Sequence, residues 1–384
     1  MNFEFATAGR IIFGNGTIKK IPSLIPEMGR RALLVTGQHK DRAESLIQTI
    51  QGAGVVMKIL SIPGEPTIHM IMDGVTYARR NKMDIVIGIG GGSVIDSAKA
   101  IAALLTNTDD IMEYLEVIGK GKPLVQQPAP CIAIPTTAGT GAEVTKNAVL
   151  SSSEHKVKVS LRSPSMIPDL ALIDPELTYS MTPSLTAATG LDAMTQLLES
   201  FVSTKSNPLT DALCLEGLKR AARSLGKAYK DGTDSFARED MAIASLFSGL
   251  ALANSGLGAV HGMAAPMGGM FQTPHGVICA RLLPFVMEAN IKALKREGAW
   301  EYLSRYDQVA KVLLGKANAK AKDGTAWVES LCALFDLPKL SDFDIAEDSF
   351  KEIVSRSKMA GSMKGNPIRL HDEDFMQILQ KAIL

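Results

Sequence analysis

Gly88-Ile89-Gly90-Gly91-Gly92-Ser93-Val94-Ile95-Asp96-Ser97-Ala98-Lys99 is the stretch from which the rest of the chain is read. Met83-Asp84-Ile85-Val86-Ile87, just before it, is short, mostly apolar and β-branched, as a buried strand is. Val94 to Leu105, just after it, carries apolar residues at helical spacing, with Ser93 as the expected N-cap. Strand, glycine turn and helix in that order let a backbone approach a pyrophosphate closely. The free N–H groups and the positive end of the helix then face the anion. A glycine turn taken alone is equally a tight turn and nothing more; the strand before and the helix after favour the phosphate reading.

Working outward, Ala32-Leu33-Leu34-Val35-Thr36 reads as a strand and Asp41 to Gly52 as a helix. Val55-Val56-Met57-Lys58-Ile59 is a second strand, Thr67 to Asn81 a second helix, and Cys131-Ile132-Ala133-Ile134 a strand beyond the glycine turn. This alternation predicts a parallel, Rossmann-like sheet with right-handed crossovers and ligands beyond the carboxyl ends of its strands. After Pro175 the pattern turns helical: Pro183 to Thr204, Pro208 to Tyr229, Ala237 to Asn254, and on to Asp372–Leu384. In that last segment Phe375, Ile378, Leu379, Ala382 and Ile383 form one apolar stripe. The expected organisation is an α/β domain over 1–178, with the glycine turn as its nucleotide-binding feature, and an all-helical domain over 179–384.

Bulk properties exclude several classes of function. The net charge is +1 across 384 residues, and no basic run is interleaved with aromatics, so nucleic acid is not an expected partner. No apolar run reaches the roughly 18 residues of a membrane span. The four cysteines, Cys131, Cys214, Cys279 and Cys332, stand apart without a CxxC pair, which suits free thiols in a reducing compartment. Met1-Asn2-Phe3-Glu4-Phe5 lacks the charged head and apolar core of a signal peptide. The expected location is the cytoplasm.

Three further stretches carry candidate chemistry. Pro135-Thr136-Thr137-Ala138-Gly139-Thr140-Gly141-Ala142-Glu143-Val144-Thr145 follows a strand and offers hydroxyls and flexible backbone, suited to a diphosphate or ribose, or simply to its own turns. His261 and His275 are each followed by glycine, at a spacing that matches no standard zinc motif. Asp192 lies among Leu191, Ala193, Met194, Leu197 and Leu198, where it is either a solvated face residue or held inside by a cation.

Taken together these stretches resemble the iron-containing (group III) alcohol dehydrogenase family. Ala171-Leu172-Ile173-Asp174-Pro175-Glu176-Leu177 through Thr189-Gly190-Leu191-Asp192 and Glu199 resembles its first signature. Gly258-Ala259-Val260-His261-Gly262-Met263 through Pro274-His275-Gly276 resembles its second. The glycine turn and the Pro-Thr-Thr-Ala-Gly-Thr-Gly stretch are similar to its cofactor motifs, and the likeness runs from Phe13-Gly14 to Asn366-Pro367. The resemblance implies an NAD(P)-dependent dehydrogenase acting on a small primary alcohol or aldehyde, in which a divalent metal, Fe2+ or Zn2+, polarises the substrate oxygen. It implies Asp192, His261 and His275 as metal ligands, and Gly90, Gly91, Gly92, Ser93 and Asp96 as the pyrophosphate turn. Thr136, Thr137 and Thr140 are then nucleotide contacts, and Asn147 and Lys158 line the nicotinamide and ribose end. It also implies a homodimer or higher homo-oligomer.

Three departures qualify the likeness. One helical turn after Asp192 the family has a histidine; this chain has Gln196, a weak neutral ligand that still points the same way. Ala265 stands where a further histidine, a candidate proton relay, is common, so no general acid or base is assignable. NAD-preferring members tend to have an aspartate just after the first strand; here, in Val35-Thr36-Gly37-Gln38-His39-Lys40, that place is Gly37. Losing the carboxylate removes repulsion against a 2′-phosphate, and Lys40 or Arg42 is available to pair with one, which favours NADP over NAD. The competing expectations are a metal-deficient or inactive family member and a lyase similar to the dehydroquinate synthases.

Overall fold

The computed structural model describes residues 2–38, 44, 47, 48, 50, 54–155 and 157–383. The chain divides into two compact units: Ala6–Thr137 with Gly141–Ser180, and Met1–Phe5, Ala138–Thr140 with Met181–Leu384.

The first unit is built on six parallel strands: β1 (Arg10–Phe13), β2 (Arg31–Thr36), β3 (Val56–Ser61), β4 (Ile85–Gly90), β5 (Cys131–Pro135) and β8 (Leu170–Ile173). Their order is β1-β8-β5-β4-β2-β3. From β3 inward this is a doubly wound arrangement, whose winding reverses between β2 and β4. The register sets Leu34 against Ile87 and Ile87 against Ile132. Side chains alternate across the sheet. Leu33, Val35 and Val86 pack on one face with Val75 and Ile101, and Leu34, Ile87 and Leu172 pack on the other with Ile21 and Ile25. Helices α1 (Ile21–Met28), α2 (Ile68–Arg80) and α3 (Gly92–Thr106) supply those covering residues.

Several local expectations shift. The strand expected over 83–87 runs from Ile85 to Gly90, because Gly88 and Gly90 pair with Ala133 and Pro135. The one expected over 55–59 runs from Val56 to Ser61. Ser93 is not the N-cap of α3: the helix begins at Gly92, Gly91 is the cap residue, and Ser93 falls inside the first turn. Most of the helix expected over 41–52 lies outside the described residues. The sequence reading also lacked an antiparallel hairpin, β6 (Asn147–Ser152) with β7 (Val157–Arg162).

In the second unit the described residues hold nine α-helices: α4 (Pro183–Val202), α5 (Pro208–Lys230), α6 (Ser235–Ser255), α7 (Ala259–Met270), α8 (His275–Arg296), α9 (Trp300–Leu314), α10 (Ala321–Leu334), α11 (Phe350–Met359) and α12 (Asp372–Ala382). Their starts are written locally. The Thr182 hydroxyl accepts from Leu185 N–H ahead of Pro183, and Asn207 with Thr210 forms a capping box ahead of Pro208. One apolar cluster joins them, with α4 buried along nearly its whole length. Phe375, Ile378, Leu379 and Ala382 of α12 are buried in it. Among the described residues no single helix is long and apolar enough to cross a membrane.

Candidate metal centre and nucleotide cradle

Asp192 is buried on α4, not on a solvated face. Gln196 follows one turn later and Glu199 about two turns later, all buried. Glu199 accepts the Val260 N–H at 2.6 Å and the His261 N–H at 3.4 Å, so its carboxylate sits on the positive end of α7. The same carboxylate lies 2.7 Å from His261 Nδ1. A carboxylate only accepts, so Nδ1 carries a proton that it donates to Glu199, and Nε2, 3.2 Å from Asp192 Oδ1, is the nitrogen left for a cation that displaces its proton.

His275 opens α8, and its Nε2 lies 3.6 Å from the same Asp192 oxygen. Gly276 makes this approach possible: a Cβ there would stand 2.4 Å from the Ala188 carbonyl oxygen of α4, which backbone cannot yield. One turn into α8, Cys279 Sγ is 3.5 Å from His275 Nε2 and 3.8 Å from His261 Nε2. One ligand atom each from Asp192, His261, His275 and Cys279 lies within 4.8 Å of the others. Gln196 Oε1, on the α4 face that carries Asp192, is buried without a hydrogen-bond partner.

The electrostatics of this cluster are those of a cation site holding protons instead. Burial disfavours charge on Asp192, yet His275 and His261 beside it hold its carboxyl below the usual range. Burial likewise opposes an imidazolium at His261, but Cys279, Asp192 and Glu199 outweigh it and raise the ring well above its ordinary value. Burial pushes the Cys279 thiol up to about 12. A carboxylate, two imidazoles, a thiol and an unsatisfied amide oxygen form a donor set that fits a divalent cation, whose binding displaces such protons. The sequence reading missed Cys279 as a donor and Glu199 as the residue that orients His261. The signals available were helical: Cys279 is four residues after His275, and Glu199 seven after Asp192.

In the α/β unit, Gly37, Gly90 to Ser93, Thr136 and Thr137 are brought together at the carboxyl edge of the sheet, at the ends of β2, β4 and β5. A Cβ at Gly90 would meet Val94 Cγ2 at 2.6 Å, so glycine lets the strand turn directly into α3. Val94 and Ile95 N–H both return to the Gly91 carbonyl. The earlier amides, of Gly92 and Ser93, have no helical carbonyl behind them. Thr36 Oγ1, at the end of β2, is buried without a partner. Backbone amides and an unsatisfied hydroxyl at a winding switch fit a nucleotide diphosphate.

Asp96 is employed differently from the turn residues. One oxygen lies 2.9 Å from Lys99 Nζ, and the other accepts from Val149 N–H at 3.0 Å. Lys99 donates on to the Ala142 and Asn147 carbonyls and to Thr145 Oγ1. The pair thus ties α3 to the loop and hairpin. Asn147 and Lys158 do not come together: Asn147 pairs with Arg162 and Lys158 with Ser151, roughly 14 Å apart along the strand at 3.4 Å per residue. Lys158 Nζ is 2.6 Å from Glu65 Oε1. Thr140 lies in the short segment Ala138–Thr140 that groups with the helical unit, where Gly139 accepts from Ser248 Oγ at 3.1 Å. Lys40 and Arg42 lie outside the described residues.

Residues 8–175 match the family described as iron-containing alcohol dehydrogenase, and residues 186–383 match its C-terminal part. Alcohol dehydrogenase 4 of Saccharomyces cerevisiae (strain YJM789) is 33% identical over 96% of this chain and 96% of its own length. NADPH-dependent butanol dehydrogenase of Clostridium saccharobutylicum is 31% identical over 98% and 97%. The solved structure of a 1,3-propanediol oxidoreductase superposes with a TM-score of 0.91, at 30% identity, over 100% of both chains. These names are those of alcohol oxidoreductases, which leaves the lyase reading without support. The chain belongs to the iron-containing alcohol dehydrogenase family, oxidoreductases that act on CH–OH donors.

Proposed function

We propose that this metal-dependent alcohol dehydrogenase interconverts small primary alcohols and aldehydes, holding its divalent ion through Asp192, His261 and His275 with Gln196 close to the site. The observation that carries the reading is the convergence of Asp192 Oδ1 with the two imidazole Nε2 atoms, at 3.2 and 3.6 Å. A divalent ion bound there, iron(II) or zinc, supplies Lewis acidity toward an alcohol or carbonyl oxygen, complementing a nicotinamide cofactor that accepts or donates hydride. Asp192 contributes the negative charge. Glu199 keeps the His261 tautomer correct, and Gly276 keeps His275 close. Gly90, Gly91, Gly92 and Ser93 bind the cofactor diphosphate through backbone amides, with Thr136, Thr137 and Thr140 as further contacts. Asp96 and Lys99 brace that turn from behind. Gly37 leaves room for a 2′-phosphate, which favours NADP(H) over NAD(H). Asn147, Lys158, a homo-oligomeric state and a cytoplasmic location belong to the same proposal.

The test is metal content of the purified protein together with NADPH- and NADH-linked reduction of short aldehydes, before and after chelation. Expected are stoichiometric divalent metal, turnover lost on chelation and regained with iron(II) or zinc, and higher kcat/KM with NADPH. Undiminished turnover by the metal-stripped protein would overturn the metal reading, and a strong preference for NADH would overturn the role given to Gly37.

A further inference from the structure

We infer that Cys279, as a thiolate, is a fourth protein ligand of the divalent ion, making this an Asp-His-His-Cys site that favours zinc over iron(II). The inference rests on the reading of Asp192, His261 and His275 given above and adds a residue to it.

Four of the six donor–donor separations match those expected around one zinc ion with four protein ligands, to which a substrate oxygen adds as a fifth. With ordinary zinc bond lengths, tetrahedral angles separate two N or O donors by about 3.3 Å and a sulfur from a nitrogen by about 3.6 Å. Here Asp192 Oδ1 is 3.2 Å from His261 Nε2 and 3.6 Å from His275 Nε2. Cys279 Sγ is 3.8 and 3.5 Å from the same two nitrogens. A buried cysteine is ordinarily a small apolar residue, and Cys131 and Cys214 fit that description. Among the described residues, Cys279 is the cysteine whose sulfur joins a cluster of potential ligand atoms. Its position is also fixed by sequence: it sits four residues after His275 on α8, so both side chains leave the helix on one face.

The chemistry agrees with the substitution at Gln196. A neutral amide oxygen is a poor exchange for an imidazole, and a thiolate on the adjoining helix restores a strong donor and adds a negative charge. Soft sulfur favours zinc, whereas an all N and O set leaves iron(II) and zinc to be sorted by supply. Binding breaks the S–H bond and forms a sulfur–metal bond, with the proton released to solvent and no change in oxidation state.

The experiment uses the full-length protein loaded with cobalt(II), whose thiolate complexes show a sulfur-to-metal charge-transfer band in the near ultraviolet. Expected is stoichiometric cobalt with that band in the unmodified protein. In Cys279→Ser the band disappears while Cys214→Ala and Cys332→Ala keep it. Chelator competition should show zinc affinity falling by roughly 100-fold or more in Cys279→Ser, at or beyond the top of the roughly 10–100-fold range for loss of a supporting hydrogen bond. The preference for zinc over iron(II) should shrink in the same variant, and Gln196→Ala should leave the band in place. Bound cobalt without the band, or a band that survives Cys279→Ser, overturns the cysteine assignment and leaves the other three ligands standing. Failure of the unmodified protein to bind cobalt, zinc or iron(II) overturns the metal site and this inference with it. Should Cys279→Ser not fold, the spectrum of the unmodified protein still decides, with Cys131→Ala, Cys214→Ala and Cys332→Ala as controls that all keep the band.

Discussion

Replacing Glu199 by glutamine changes one atom of the side chain and inverts a hydrogen bond. In the native arrangement Glu199 Oε1 accepts from Val260 N–H at 2.6 Å, and Oε2 lies 2.7 Å from His261 Nδ1. Glutamine can keep its oxygen on the helix terminus only by placing its NH2 against the imidazole. Two donors then face each other, unless the ring moves its proton to Nε2. That alternative tautomer fixes the proton on Nε2, so the nitrogen offered to the metal is lost with no change in side-chain volume. If the amide turns over instead, the N-terminal amides of α7 lose their acceptor. The expected cost in zinc affinity is roughly 10–100-fold, about 1.4–2.7 kcal/mol, the range seen when the partner of a metal-bound imidazole is removed. Losing the charged acceptor is expected to lower stability by about 1–3 kcal/mol. The assay is competition with a calibrated zinc chelator, alongside denaturant unfolding of the metal-free protein. Glu199→Asp serves as comparison, since it keeps the charge but shortens the reach. Unchanged zinc affinity together with unchanged stability in Glu199→Gln would refute this role for Glu199, because an amide can satisfy either the His261 ring or the α7 terminus but not both.

Two other outcomes follow from buried groups and close contacts. Burial pushes Glu143 up to about 7, against its own backbone hydrogen bond and the nearby Lys99. Between the unfolded value of about 4.3 and that figure, the folded protein keeps a proton that the unfolded chain has released, so stability falls as pH rises, by about 4 kcal/mol in all. Glu143→Gln should flatten this slope and be the more stable protein at pH 8; parallel unfolding profiles for the two would sink the idea. Gly276→Ala puts a methyl 2.4 Å from the Ala188 carbonyl oxygen, so the start of α8 must shift and carry His275 with it. We expect a loss of about 1–3 kcal/mol of stability together with weaker zinc binding, and wild-type values in both chelator competition and denaturant midpoint would remove Gly276 from the account.

Alternation of short apolar strands with helical segments gave a parallel sheet, because each strand buried on both faces writes an uninterrupted apolar run. Pro183 behind Thr182, and Pro208 behind Asn207, gave the starts of two long helices within a residue. The hairpin of Asn147–Ser152 and Val157–Arg162 was hidden by its mixed polarity. The start of α3 was misplaced because Ser93 is a good cap by composition, while the path from β4 lets the helix begin sooner.

By itself the sequence determined the fold class, the glycine turn at the end of β4, and three of the residues that cluster as a candidate centre, since these depend on local periodicity and on motifs contiguous in the chain. Only the tertiary structure decided that Asp192 is inside, that Glu199 fixes the tautomer of His261, that Cys279 stands beside both imidazoles, and that Asp96 braces the turn. The reason is physical. Sequence spacing fixes which face of its own helix a side chain leaves, whereas the meeting of α4, α7 and α8 depends on how closely those helices pack, which here rests on contacts such as Gly276 against the Ala188 backbone.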